Sequence, residues 1–196
     1  MLEFVEAYSR VVSFLKKWGR KRQDVIFRMP AGVLKGFGVS PNDVSILSMF
    51  FVFLSSIFII QENRLYLVAL SGAILLDMLD GTLARMMPKN HFGGVFDFFI
   101  DRFSDCMLLL SFSTSGLLAP YFSVVLLFFY ALSTLFEKLL DGIRIRVYVL
   151  SFRIFMMVGL FLQEIHPKAV LAVACLLLIN YMITSLSALP KVAFKT

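Results

Sequence analysis

Between Asp77 and Asp101, four carboxylates and an arginine interrupt a stretch of chain otherwise apolar enough to cross a bilayer, and with three small residues they form a spaced set: Asp77, Asp80, Gly81, Ala84, Arg85, Gly93, Asp97 and Asp101. A carboxylate at the centre of a membrane helix costs roughly 2.5–3.5 kcal/mol on insertion scales, so this cluster requires a neutralising cation. Asp77, Asp80, Gly81 and Ala84 share one face of a helix, and Asp97, Asp101 and Asp105, spaced by four, share one side of the next. Oxygen donors with no suitable imidazole beside them favour Mg²⁺ or Mn²⁺ over zinc or copper. Four negative charges balance two divalent ions, an arrangement that serves displacement at phosphorus. Arg85 offers a planar fork for phosphate oxygens, and Gly81 and Gly93 let a diphosphate approach the backbone closely.

The elements that must hold these groups follow from composition. Of 196 residues, 59% are hydrophobic and 22 are Phe, well above the apolar share of about 45–50% in soluble domains. This excludes an ordinary soluble domain and predicts an all-α, polytopic membrane protein. Six transmembrane helices are expected, at 44–61, 65–86, 94–118, 121–140, 148–164 and 168–189. The expected organisation is an N-terminal amphipathic juxtamembrane segment, 1–39, and a six-helix domain, 40–196. Ser40-Pro41-Asn42-Asp43 supplies an N-cap, a proline at the first helical position and an acid at N3, so the first span starts near Pro41.

Upstream, Leu2, Val5, Tyr8, Val12, Leu15 and Trp18 recur at helical spacing, which predicts an interfacial helix whose Lys16, Lys17, Arg20, Lys21 and Arg22 meet anionic headgroups. Pro30 is expected to break this region. The first twenty residues are too charged for a cleavable signal peptide. Eight Lys and Arg residues precede Asp43, and only Arg64 and Lys168 fall on the far side of the spans. Both termini are therefore expected in the cytoplasm of an integral cell-membrane protein. At 1.5 Å per residue Asp77 lies about 12 Å from Arg85 along the second helix, which places the acidic cup in the cytoplasmic half, open to that side. No nucleic-acid partner is expected.

These residues resemble the signature of the CDP-alcohol phosphotransferase family, Asp-x2-Asp-Gly-x2-Ala-Arg, a spacer, then Gly-x3-Asp-x3-Asp, and all eight specified positions match. The resemblance implies a membrane enzyme of phospholipid biosynthesis that moves a phosphoalcohol group from a CDP-alcohol to an acceptor hydroxyl and releases CMP. It implies Mg²⁺, as two ions with Mn²⁺ a substitute, held by Asp77, Asp80, Asp97 and Asp101. Asp101 would also be the catalytic base, and Asp80, Gly81, Ala84, Arg85 and Gly93 would surround the CDP-alcohol. A homodimer is expected from the resemblance alone.

Lys138, Gly142, Arg146 and Arg153 loosely match phosphatidylinositol-phosphate synthases. That favours a CDP-lipid donor, with acyl or archaeal ether chains, and a phosphorylated acceptor such as inositol phosphate or glycerol phosphate. Lys138, Arg146 and Arg153 are the candidate acceptor-binding residues. Serine as acceptor, or CDP-choline or CDP-ethanolamine donating to a diglyceride, are the alternatives within the family. A cation or proton transporter is the alternative class, but it would place its site nearer the midplane, among broken helices or repeated halves. Arg102 and Asp105 are expected to pair with each other, His91 to be solvated, and Cys106 and Cys175 to be buried thiols.

Overall fold

The computed structural model describes residues 22–88, 91–141, 152–163, 165–166 and 168–193. All regular structure among them is helical: α1 (22–36), α2 (Pro41–Ile60), α3 (Leu65–Arg85), α4 (His91–Thr114), α5 (Pro120–Asp141), α6 (Phe152–Gln163) and α7 (Ala169–Ala193). They divide into two compact units, with the boundary after Leu117. Helices occupy all six stretches expected to span. By length and composition α2 and α3 are long and apolar enough to cross a membrane, and the shorter apolar helices are Pro120–Phe136, Phe152–Gln163 and Ala169–Ser185. The expected interfacial helix over Leu2–Trp18 lies outside the described residues.

The chain stays helical through Pro30 rather than breaking there. The proline ring deprives the Ile26 carbonyl of its helical partner, but Ile26 and Pro30 both lie on the exposed side, so that carbonyl is not sealed in the core without one. Side chains on both sides of the proline tie α1 to the end of α3: the Gln23 amide donates to the Met78 carbonyl, and Lys35 Nζ donates to the Met86 carbonyl at 2.9 Å. Buried Ala31 packs with Val44 and Leu83. Gly38, at φ +75°, closes α1, with Val39 N–H donating to the Leu34 carbonyl and Gly38 N–H to the Lys35 carbonyl, both 3.1 Å. Val25, Met29, Val33 and Phe37 form an exposed apolar stripe along it.

Ser40 caps α2 as expected. Asp43 N–H donates to Ser40 Oγ at 3.3 Å, and Ser40 N–H donates to Asp43 Oδ2 at 2.9 Å, completing a reciprocal box with Pro41 in the first turn. The buried face of α2 runs Ser45, Ser48, Val52, Ser55, Ser56 and Ile59. Small residues there let α3 and α4 approach closely, the way apolar helices associate where lipid removes the hydrophobic drive. Ser48 Oγ donates to the Ala73 carbonyl at 2.9 Å and Ser55 Oγ to the Tyr66 carbonyl at 3.1 Å. In the second unit α7 packs on both α5 and α6. Tyr130 is in ring contact with Phe152 and Tyr181, at 5.9 and 5.3 Å between centroids.

Candidate functional site

The candidate site is built by α2, α3 and α4. Asp80 is only 6% exposed, and an ionised carboxylate so buried requires donors or a cation. Ser45, one turn into α2, supplies a donor: its Oγ lies 2.7 Å from Asp80 Oδ2 and 3.3 Å from Asp97 Oδ1. One hydroxyl thus touches acids on two other helices. The charges of Asp77 and Asp101 also act on Asp80, together with that of Asp97, so all four signature carboxylates belong to one electrostatic cluster. Asp77, Asp97 and Asp101 are each half-buried.

Among the described residues no three Asp, Glu, His or Cys side chains close into a cage around a metal position. What is present is the donor set. Oxygen donors from α3 and α4, both packed on α2, with four like charges gathered together, suit a hard divalent cation. Asp77, Asp80, Asp97 and Asp101 are the residues that would hold it.

The residues expected to face phosphate follow α3 toward its end. Gly81 is half-buried, and Ala84 and Arg85 are exposed. Among the described residues a Cβ at Gly81 would meet Arg85 Nη1 at 3.5 Å and Gln23 Nε2 at 3.6 Å, which is ordinary contact. Packing among the described residues therefore does not require glycine there. The Arg85 fork is turned to α1: Nε donates to Asp24 Oδ1 at 2.9 Å, Nη2 binds the same oxygen, and Nη2 also donates to Thr82 Oγ1 at 3.2 Å. Gly93 is half-buried in the first turn of α4. Arg102 pairs with Asp105 at 3.8 Å and lies over the Phe98 ring, as a structural role predicts. Cys106 and Cys175 are free thiols, half-buried rather than fully enclosed.

The expected acceptor-binding residues belong to the second unit. Arg153 is buried near the start of α6. Lys138 is on α5, but its side chain lies outside the described ones, as does that of His91; Arg146 lies outside the described residues altogether. Sequence reasoning missed Ser45 and Asp24. The signal for Ser45 was the serine repeat at 45, 48 and 55 on one face of an apolar helix, and for Asp24 a lone acid inside a basic run.

Apolar helices that enclose a carboxylate cluster, with an arginine at the end of one of them, are the pattern of a membrane protein with a polar functional site. A family model described as CDP-alcohol phosphatidyltransferase matches residues 39–188, and the chain belongs to that family. It is 37% identical over 86 residues to an archaetidylinositol phosphate synthase of Pyrococcus horikoshii, covering 43% of this chain and 46% of that protein. It is 42% identical over 74 residues to an uncharacterized protein of Aquifex aeolicus, covering 36% and 37%. The chain thus spans less than half the length of these relatives.

Among solved structures it resembles a Mycobacterium tuberculosis phosphatidylinositol phosphate synthase in complex with manganese and citrate, with a TM-score of 0.68 at 20% identity over 81% of this chain and 85% of that one. The same enzyme with CDP-DAG bound gives a TM-score of 0.69 at 19% identity, over 85% and 91%. At such identities the likeness is one of fold.

Proposed function

We propose that this protein transfers a phosphatidyl-type group from a CDP-lipid to the hydroxyl of a phosphorylated polar acceptor, best matched by inositol phosphate, and releases CMP. The observation that carries the reading is the convergence of Asp80 and Asp97 on one hydroxyl, with Asp77 and Asp101 acting on the same charge, in a chain of this family. The archaetidylinositol phosphate synthase relative supports the acceptor, and the CDP-DAG-bound fold relative supports the donor.

Asp77, Asp80, Asp97 and Asp101 would hold two Mg²⁺ ions, with Mn²⁺ as a substitute. The ions, when bound, polarise phosphoryl oxygens and offset the charge that develops on the departing CMP. Arg85 leaves Asp24 to take phosphate oxygens, and Gly81, Ala84 and Gly93 leave space beside the cytidine diphosphate. Asp101 accepts the proton of the acceptor hydroxyl as that oxygen bonds to the lipid-bearing phosphorus and the bond to CMP breaks. Lys138, Arg146 and Arg153 bind the acceptor phosphate.

The six helices all span, with both termini and the acidic cluster on the cytoplasmic side, and the protein acts as a homodimer. The domain boundary falls at 39/40. The exposed apolar stripe of α1 supports an interfacial position for that helix.

The test is CMP release by the purified full chain in detergent with Mg²⁺ and a CDP-lipid, offered in turn inositol phosphate, inositol, glycerol phosphate and serine. Release with inositol phosphate alone is expected. Release with serine or glycerol phosphate instead reassigns the acceptor, and none with any acceptor, or with CDP-choline and diglyceride, sinks the transferase reading.

A further inference from the structure

Ser45 is buried, 3% exposed, and its hydroxyl meets three acceptors: the Pro41 carbonyl at 3.0 Å, Asp80 Oδ2 at 2.7 Å and Asp97 Oδ1 at 3.3 Å. A serine hydroxyl carries one proton, so these bonds alternate. The Pro41 carbonyl is the ordinary partner of a helical serine four residues on, and that bond alone would satisfy Ser45. The approach to Asp80 and Asp97 therefore benefits the acids rather than the serine. Ser48 and Ser55, on the same face of α2, donate to backbone carbonyls of α3 instead.

From this geometry we infer that Ser45 is a positioning residue for the carboxylate cluster, its hydroxyl on α2 orienting Asp80 of α3 and Asp97 of α4 toward a divalent cation. A neutral donor suits this role. A lysine in its place would neutralise the carboxylates and compete with the cation, whereas a hydroxyl fixes one oxygen of each acid and leaves the net charge for the metal. Partners of this kind, hydrogen-bonded to a ligand rather than to the ion, orient ligands and sustain affinity. The inference rests on the proposed metal site, and its test separates the two.

The experiment is Mn²⁺ titration of the purified full chain in detergent, reading free ion by electron paramagnetic resonance, for the native protein and for Ser45→Ala, Ser45→Val and Ser45→Thr. Thr keeps the hydroxyl, and Val matches Thr in shape without it. Ala and Val are expected to raise the Mn²⁺ Kd by about 10- to 100-fold, with Thr close to the native value. Metal-free thermal unfolding in the same detergent should be similar for Val and Thr. Unchanged Mn²⁺ affinity in Ala and Val overturns the inference while leaving the metal site standing. Loss of folded protein in both makes Ser45 a packing residue and also overturns it. A native chain that binds no Mn²⁺ removes the metal site and the inference together.

Discussion

The two units of this protein use similar materials for different ends. In α5–α7, hydroxyls close on backbone and on one another: Ser133 Oγ donates to the Tyr181 carbonyl at 2.9 Å and lies 3.0 Å from Ser185 Oγ, and Thr184 Oγ1 donates to the Asn180 carbonyl at 2.7 Å. In α1–α4 a hydroxyl reaches carboxylates instead. Two glycines draw the same line. A Cβ at Gly159 would stand 3.3 Å from Val170 Cα and Val173 Cβ, closer than side chains normally pack, whereas a Cβ at Gly81 meets nothing nearer than 3.5 Å. Glycine at 159 is explained by the fold, and glycine at 81 is not. Under the proposed function, the substrate beside Gly81 supplies the reason that packing does not.

The largest expected effect tests the site most directly. Asp101→Asn should lower CMP release by about 10²- to 10⁴-fold, the usual contribution of a general base, while CDP-lipid binding persists. Full turnover in that variant would remove the base assignment. Gly81→Ala comes next. Alanine favours a helix by about 1 kcal/mol over glycine, so thermal stability should hold or rise, while the CDP-lipid Kd rises about tenfold, equivalent to about 1.4 kcal/mol. Stability lost with binding intact would reverse the contrast between the glycines. Gly159→Ala should do the opposite. Overpacking of about 1–3 kcal/mol, partly offset by helix propensity, should lower the unfolding temperature and leave turnover per folded molecule unchanged; a stabilised protein would show that Val173 and the α7 backbone give way.

Much of this was legible in the residues because local rules acted without competition. The Ser40–Asp43 box, the start of α2 at Pro41 and the Arg102–Asp105 pair all appear where spacing places them. The carboxylates on α3 and α4 were legible as two acidic faces, and it is α2, packed on both helices, that brings them to one hydroxyl. What escaped was the contribution of other helices. Ser45 reads as one more small residue of an apolar helix until α3 and α4 pack on it, and spacing within a helix says nothing of which acids it will meet. Pro30 reads as a break because local chemistry says so, but α1 is held to α3 on both sides of it. Arg85 reads as an open phosphate fork because its partner lies sixty-one residues away in sequence, on α1.

That partner yields the smallest and most discriminating prediction. The Arg85 and Asp24 side chains are 41% and 46% exposed, and such pairs contribute about 0–1 kcal/mol. Asp24 occupies the Arg85 fork, so under the proposed function an incoming diphosphate must displace it. Asp24→Asn should therefore tighten CDP-lipid binding, by no more than about fivefold given that energy. The difference should shrink as salt screens the exposed pair. Weaker binding in the variant would mean that Asp24 orients the guanidinium rather than competing for it, making α1 part of the substrate site. Unchanged binding at low salt would leave the pair as a tether holding α1 to the end of α3, alongside the Gln23 and Lys35 bonds.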